Sequence, residues 1–99
     1  MLKTEKVENG KELTLALTGR LDTVTAPELE AVIRTDLEET EKLIFDLKNL
    51  EYISSAGLRV LLAAQKKMTG KGTMVITGSS EEVKEIFEVT GFSSIIDIK

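Results

Sequence analysis

The feature of this sequence that most constrains its fold is a turn of small residues between two strongly apolar segments. Residues 43–47 (LIFDL) are bulky and partly β-branched, which predicts a buried strand. Residues 58–68 begin with LRVLLAA and predict a helix. The turn at residues 54–57 (SSAG) therefore carries two hydroxyl groups where the connection from a strand enters a helix. Binding sites are often built at that edge of an α/β sheet, whereas the simpler alternative is that one serine only caps the helix.

The segments before this unit predict two strands and a helix. Strands at residues 3–7 and 12–18 flank Asn9 and Gly10, a dipeptide that readily takes the positive φ angles of a tight hairpin turn. Residues 25–28 (TAPE) have the pattern of a capping box, in which a threonine hydroxyl caps the helix and a glutamate follows three residues later. The proline in the first turn fits the same interpretation. This pattern predicts where the first helix begins.

The second half of the chain continues the alternation of strands and helices. Residues 73–77 predict a strand, and residues 79–82 (SSEE) predict the cap of a last helix. We expect Gly91 to end that helix in a left-handed conformation, with Phe92 folded back onto it. Residues 95–98 are too short for a helix and predict an edge strand. The order β-β-α-β-α-β-α-β predicts an α/β fold in which a single mixed, mostly parallel sheet of about five strands has helices packed against it.

Length and charge narrow the range of functions. The 99 residues contain no linker or internal repeat, which predicts a single domain over residues 1–99. The formal net charge is −4 and basic residues cluster only at one predicted helix end, which argues against a nucleic-acid partner. No apolar run approaches the roughly 20 residues that cross a bilayer, and the first residues lack the apolar block of a secretory signal. We therefore expect no membrane partner and a cytoplasmic location.

The reactive side chains available to this sequence argue against catalysis. The chain has no histidine and no cysteine, which excludes an imidazole base, a Ser-His-Asp triad and the commonest zinc ligands. It also lacks a glycine-rich phosphate loop ending in Gly-Lys-Ser or Gly-Lys-Thr. The carboxylates lie mainly on outward helix faces, such as residues 38–39 and 81–82. We expect no catalytic residue, no metal site and no cofactor, with nucleotide binding as a weaker alternative.

Two blocks of the sequence resemble a known family. Residues 54–58 (SSAGL), followed by an apolar helix, resemble the signature of the STAS domains, which are named after sulfate transporters and anti-sigma factor antagonists. Residues 17–22 (LTGRLD), followed by Thr25 and Ala26, resemble the other conserved block of that family. The two blocks stand in the family's usual order and at about its usual separation. The resemblance covers nearly the whole chain and implies the STAS fold.

A short, free-standing chain with a serine in the turn resembles the anti-sigma factor antagonist branch of the family. In that branch, a GHKL-type serine kinase that also sequesters a sigma factor phosphorylates one serine of the turn. The unmodified antagonist captures the kinase and frees the sigma factor, the phosphorylated antagonist cannot, and a serine phosphatase resets the cycle. The resemblance thus implies a regulator of transcription that acts by partner switching with this kinase and phosphatase. We expect the protein to be a monomer when free.

The family pattern, carried over residue by residue, assigns the phosphate to Ser55. The usual antagonist pattern is Asp-Ser-Ser or Asp-Ser-Thr followed by Gly-Leu. Anchored on Gly57 and Leu58, this pattern places Ser54 at the usual aspartate and Ala56 at the second hydroxyl. We expect the Ser54 side chain to cap the helix, and Ser55 to occupy the first helical position with an exposed hydroxyl. Ser54 is the alternative phosphorylation site.

The residues after an upstream strand complete the expected partner surface. Asp22, Thr23 and Thr25 follow that strand, so they should lie at the same sheet edge as the serine turn. By resemblance, the partner surface comprises Asp22, Thr23, Thr25, Ser54, Ser55, Gly57 and Leu58. The alternative for Asp22 is that it only stabilises its own turn. The alternative for the whole protein is a non-enzymatic STAS scaffold in a lipid-transport or stress-sensing complex.

Overall fold

The computed structural model describes all 99 residues. Five strands, three α-helices and one short 3-10 helix alternate along the chain in the predicted order. Their bounds are β1 Leu2–Asn9, β2 Glu12–Leu21, α1 Ala26–Asp36, β3 Lys42–Ile53, α2 Ser55–Met68, β4 Thr73–Thr77, α3 Glu81–Val89, the 3-10 helix Phe92–Ser94 and β5 Asp97–Ile98. None of the helices is both long and apolar enough to cross a membrane.

The five strands form one mixed sheet in the order β1-β2-β3-β4-β5. β1 is antiparallel to β2, and every other neighbouring pair is parallel. Because the spatial order follows the chain order, right-handed crossovers place all three helices on the same face of the sheet. The predicted α/β fold, a single mostly parallel sheet with helices packed against it, is therefore confirmed.

Side-chain burial alternates along the strands in agreement with this one-sided packing. In β2 the leucines at positions 13, 15 and 17 are buried, whereas Thr14 and Ala16 between them are partly exposed. β3 and α2 contribute Phe45 and Leu61 to the same core, and α3 contributes Phe87; all three are fully buried. A single apolar cluster of 24 buried residues thus joins the sheet to its helices.

The hairpin between β1 and β2 differs from the prediction by one residue. Asn9 pairs with Glu12, so the two loop residues are Gly10 and Lys11 rather than Asn9 and Gly10. Of the two loop residues only Gly10 has a positive φ, of 65°. A positive φ at the first loop position alone is typical of a type II′ turn, which needs glycine there and tolerates lysine next.

The predicted capping box at the start of α1 is wrong. The Thr25 side chain caps no amide of that helix. Instead Asp22 Oδ1 accepts hydrogen bonds from the amides of Val24 and Thr25, at 3.0 and 3.1 Å, while Thr25 Oγ1 accepts the amide of Asp22 at 2.9 Å. This reciprocal arrangement is a capping box formed three residues earlier than predicted. It forms there because a turn at residues 23–25 precedes α1, so the first amides that need an acceptor come earlier in the chain.

The structure of the C-terminal region agrees closely with the prediction from the sequence. Ser80 caps α3 by accepting a hydrogen bond from the amide of Val83 at 3.2 Å. Gly91 has a φ of 82°, and the Phe92 ring lies 6.5 Å from that of Phe87, centroid to centroid. These observations confirm the predicted cap, the left-handed helix end and the folded-back phenylalanine. The edge strand β5 is shorter than predicted, because a turn and a bend at residues 95–96 follow the 3-10 helix and only Asp97–Ile98 pairs with β4.

Candidate functional site

The site lies where β2 and β3 end side by side. Leu21 and Ile53 are register partners in these parallel strands. The amide of Ser54 donates a hydrogen bond to the carbonyl of Leu21 at 2.9 Å, which continues the pairing one residue beyond β3. The loop at residues 22–25 therefore lies next to the serine turn at residues 54–57. The structure thus brings together the two segments that the sequence analysis placed at one sheet edge.

Hydrogen bonds hold the 22–25 loop in one conformation. Besides the reciprocal bonds between Asp22 and Thr25, the Thr25 hydroxyl donates to the carbonyl of Arg20 at 2.8 Å. Thr25 is only 3% exposed and stabilises the loop from its buried side. Thr23 and Val24, in contrast, lie on the outer surface of the loop. Of the loop residues predicted to form the partner surface, Thr23 is thus fully accessible and Asp22 partly so.

The Asp22 carboxylate is stabilised in its ionised form. The hydrogen bond from the Thr25 amide is the largest cause, and the Val24 amide and the Thr25 hydroxyl add to it; together they hold the pKa of Asp22 below its ordinary value of 3.8. The structure therefore supports the turn-stabilising role of Asp22. Its role in partner binding stays a prediction.

We expect this carboxylate to make the stability of the protein depend on pH in the acid range. A lowered pKa means that ionised Asp22 stabilises the fold above its unfolded pKa and that this stabilisation is lost as pH falls through the folded pKa. Asp22→Asn keeps an oxygen that can accept the loop amides but removes the charge. The wild type should melt above Asp22→Asn at about pH 6, and the difference should shrink towards about pH 2. Thermal unfolding of both proteins across this range measures it, and a constant difference would contradict the prediction.

The first turn of α2 exposes one serine and buries part of the other. Ser54 is the N-cap residue, with φ −99° and ψ 176°, and its carbonyl accepts the amide of Leu58 at 2.9 Å. Its hydroxyl oxygen, however, is buried without a hydrogen-bond partner, so the predicted side-chain cap is absent. Ser55 is the first residue of the helix and is exposed. Ser54 thus occupies the N-cap position without capping the helix through its side chain.

Gly57 and Leu58 anchor this helix start in the core. A Cβ atom on Gly57 would lie 2.6 Å from Cγ of Leu21 and 2.9 Å from Cγ1 of Ile53. Only a glycine lets α2 approach the ends of the two strands so closely. Leu58 is 7% exposed and belongs to the apolar core. Both residues lie at the predicted site but below its surface, where they position the exposed Ser55.

The structure adds exposed neighbours that the sequence analysis did not name. Val24 is 80% exposed at the tip of the 22–25 loop, and Tyr52 is 39% exposed near the end of β3. The Arg20 guanidinium lies 4.4 Å from the centre of the Tyr52 ring and 3.8 Å from Asp22 at its nearest contact. A valine among threonines and a single tyrosine at a strand end were the available sequence signals. Neither signal indicates whether the side chain is exposed, because exposure depends on the tertiary structure.

The family model for the STAS domain matches residues 3–99, which is nearly the whole chain. The chain belongs to the STAS domain family. BtrV of Bordetella bronchiseptica, provisionally named an anti-sigma factor antagonist, is 36% identical over 88 residues, which cover 87% of this chain and 76% of BtrV. The anti-sigma-B factor antagonist of Listeria monocytogenes is 30% identical over 96 residues, 95% of this chain and 84% of that protein. Both relatives of this chain are thus named as anti-sigma factor antagonists.

Solved structures share the fold of this STAS domain. An anti-sigma factor antagonist from Mycobacterium paratuberculosis superimposes with a TM-score of 0.91 at 22% identity, covering 99% of this chain and 85% of that one. SpoIIAA in its unphosphorylated form gives a TM-score of 0.78 at 16% identity, covering 100% of this chain and 87% of that one. At these identities the likeness establishes the arrangement of strands and helices. The roles of individual residues need the geometry of the site itself.

Proposed function

We propose that this STAS domain is an anti-sigma factor antagonist that binds a GHKL-type serine kinase acting as an anti-sigma factor, and that phosphorylation of Ser55 abolishes this binding. The observation that carries the proposal is the geometry of the α2 start. Ser55 is exposed at the first helical position, whereas the neighbouring Ser54 hydroxyl oxygen is buried. A kinase can therefore reach one hydroxyl of the turn without unfolding the helix.

The shape and chemistry of the surrounding surface support a protein partner. The surface cavities of the protein lie elsewhere: beside the β1–β2 hairpin and the end of α1, along α3, and near the C-terminus. At the ends of β2 and β3 the surface instead offers an exposed valine in the 22–25 loop and a partly exposed tyrosine on which an arginine stacks. Small-molecule sites are typically concave, whereas protein interfaces are flatter and are enriched in tyrosine and arginine. The surface thus fits capture of another protein better than binding of a small substrate.

The proposed switch is a transfer of one phosphoryl group. The Ser55 oxygen attacks the γ-phosphorus of ATP, the new O–P bond forms as the bond to ADP breaks, and the hydroxyl proton passes to a base of the kinase. The product carries about −1.5 to −2 charges at neutral pH. At this position the charge would meet the positive end of α2, so the fold should persist while the contact surface changes. A serine phosphatase that hydrolyses the phosphate ester restores the binding form.

We expect the purified protein to acquire a single phosphate on Ser55 when incubated with ATP and the GHKL kinase homologue encoded nearest to its gene. Mass spectrometry of the intact protein and of the peptide spanning residues 54 and 55 measures the extent and the position of modification. Ser93→Ala removes an exposed serine outside the site and should be labelled like the wild type. Before labelling, the protein should also co-elute with the kinase in the presence of ADP. If neither a complex nor a phosphate forms, the proposal fails and the scaffold alternative is favoured.

A further inference from the structure

We infer that Arg59 binds the phosphate of phosphorylated Ser55, so that one arginine of α2 holds the modified serine on its own helix; this inference rests on the proposed phosphorylation of Ser55. The two residues are four positions apart in α2 and both are exposed. Side chains with this spacing lie on the same helix face, with Cβ atoms about 5–6 Å apart. Their order is also favourable, because side chains of a helix lean towards its N-terminus and Arg59 therefore points back towards Ser55.

Arg59 is the one arginine of the protein without a partner. Arg20 lies 3.8 Å from Asp22, and Arg34 lies 3.7 Å from Glu30. No carboxylate lies within ion-pair distance of Arg59, and no aromatic ring stacks on it. An exposed guanidinium with no competing partner can turn its planar fork of donors towards a phosphate, a geometry that gives strong, charge-assisted hydrogen bonds.

The backbone at the start of α2 adds to the same binding geometry. The first amides of an α-helix have no acceptor within the helix, and the Ser54 side chain does not cap those of α2. The other two helices have side-chain acceptors at or just before their first turns, from Asp22 and from Ser80. A phosphate on Ser55 would thus meet free amides on one side and the Arg59 guanidinium on the other.

The test uses phosphoserine placed at position 55 by an expanded genetic code, so that no kinase is needed. The phosphate titrates with a second pKa near 6, and 31P NMR follows it directly. A nearby guanidinium favours the dianion, so Arg59→Gln should raise this pKa by about 0.5 pH unit relative to the phosphorylated wild type. Arg59→Lys, which keeps the charge but not the fork, should raise it by less. Arg34→Gln removes the same charge from an exposed position on α1 and should leave the pKa unchanged.

Two results would overturn the inference. An unchanged pKa in Arg59→Gln would mean that the helix amides alone hold the phosphate. An equal change in Arg34→Gln would mean that only the net charge of the protein matters. Either result leaves the proposed function standing, since that proposal depends on kinase binding and labelling. Conversely, if no kinase labels the protein, the titration can still be measured, because the phosphoserine is introduced during synthesis.

Discussion

Replacing Gly57 with alanine is expected to lower the melting temperature by about 10 °C. The new Cβ would lie 2.6 Å from Cγ of Leu21 and 2.9 Å from Cγ1 of Ile53, both in side chains that are buried in the core. Alanine is a better helix former than glycine by about 1 kcal/mol, so intrinsic propensity alone would make this variant more stable. Overpacking of a well-packed core costs about 1–3 kcal/mol, and the rigid ends of β2 and β3 leave little room for relaxation. Thermal unfolding followed by circular dichroism measures the sum of the two effects.

A double-mutant cycle with Leu21→Ala separates steric overlap from any other effect of the substitution. Leu21→Ala removes the atoms nearest to the new methyl group, and by itself it should destabilise by about 2–5 kcal/mol because it leaves a cavity. In that background Gly57→Ala should cost far less or become stabilising, since the methyl group fills part of the cavity. Strictly additive effects would show that Leu21 is not what makes glycine necessary at position 57.

The arrangement of strands and helices was predictable because each element carries a local signal. Alternating leucines mark β2, the β-branched run at residues 73–77 marks β4, and the SSEE segment marks the cap of α3. Each of these signals depends on neighbours a few residues apart. Right-handed crossovers then leave few ways to join the elements. The long extent of β3 was missed because its second half, at residues 48–52, is polar and pairs with β2 through register shifts that no local pattern reveals.

The details of the candidate site were less predictable, because several side chains could satisfy the same amides. Asp22 and Thr25 are both good caps, and only the turn at residues 23–25 decides which amides each one meets. Ser54 occupies the cap position that its sequence indicates, yet its hydroxyl oxygen is buried and unpaired. The exposure of Val24 depends on tertiary packing around the loop. The hydrogen-bond partners and the exposure of loop side chains can therefore be determined only from the folded structure and not from the local sequence.

Phosphorylation of Ser55 is expected to weaken binding of the kinase by at least 100-fold, about 2.7 kcal/mol. A partner that covers Ser55 would have to accommodate and dehydrate the phosphate, and dehydrating such a charge costs several kcal/mol even beside an opposite charge. The fold itself should be unaffected, since a phosphate at the first position of a helix is favoured by the free amides and the helix dipole. Ser55→Ala should bind the kinase like the unmodified protein and resist labelling. Ser55→Asp should stay folded and bind at least tenfold more weakly. Calorimetric titration of each form with the kinase and ADP gives the affinities.

Ser54→Ala is the matched control, because it removes the neighbouring hydroxyl whose oxygen is buried and unpaired. Loss of such a group removes no hydrogen bond, so this variant should fold, bind the kinase and accept the phosphate on Ser55 as the wild type does. Circular dichroism of every variant checks that an altered affinity does not reflect an unfolded helix. Phosphate found only on Ser54, or Ser55→Ala labelled at the wild-type rate, would contradict the assignment of Ser55. Undiminished affinity of the Ser55-phosphorylated protein would contradict the switch itself, because the kinase would then leave the start of α2 uncovered.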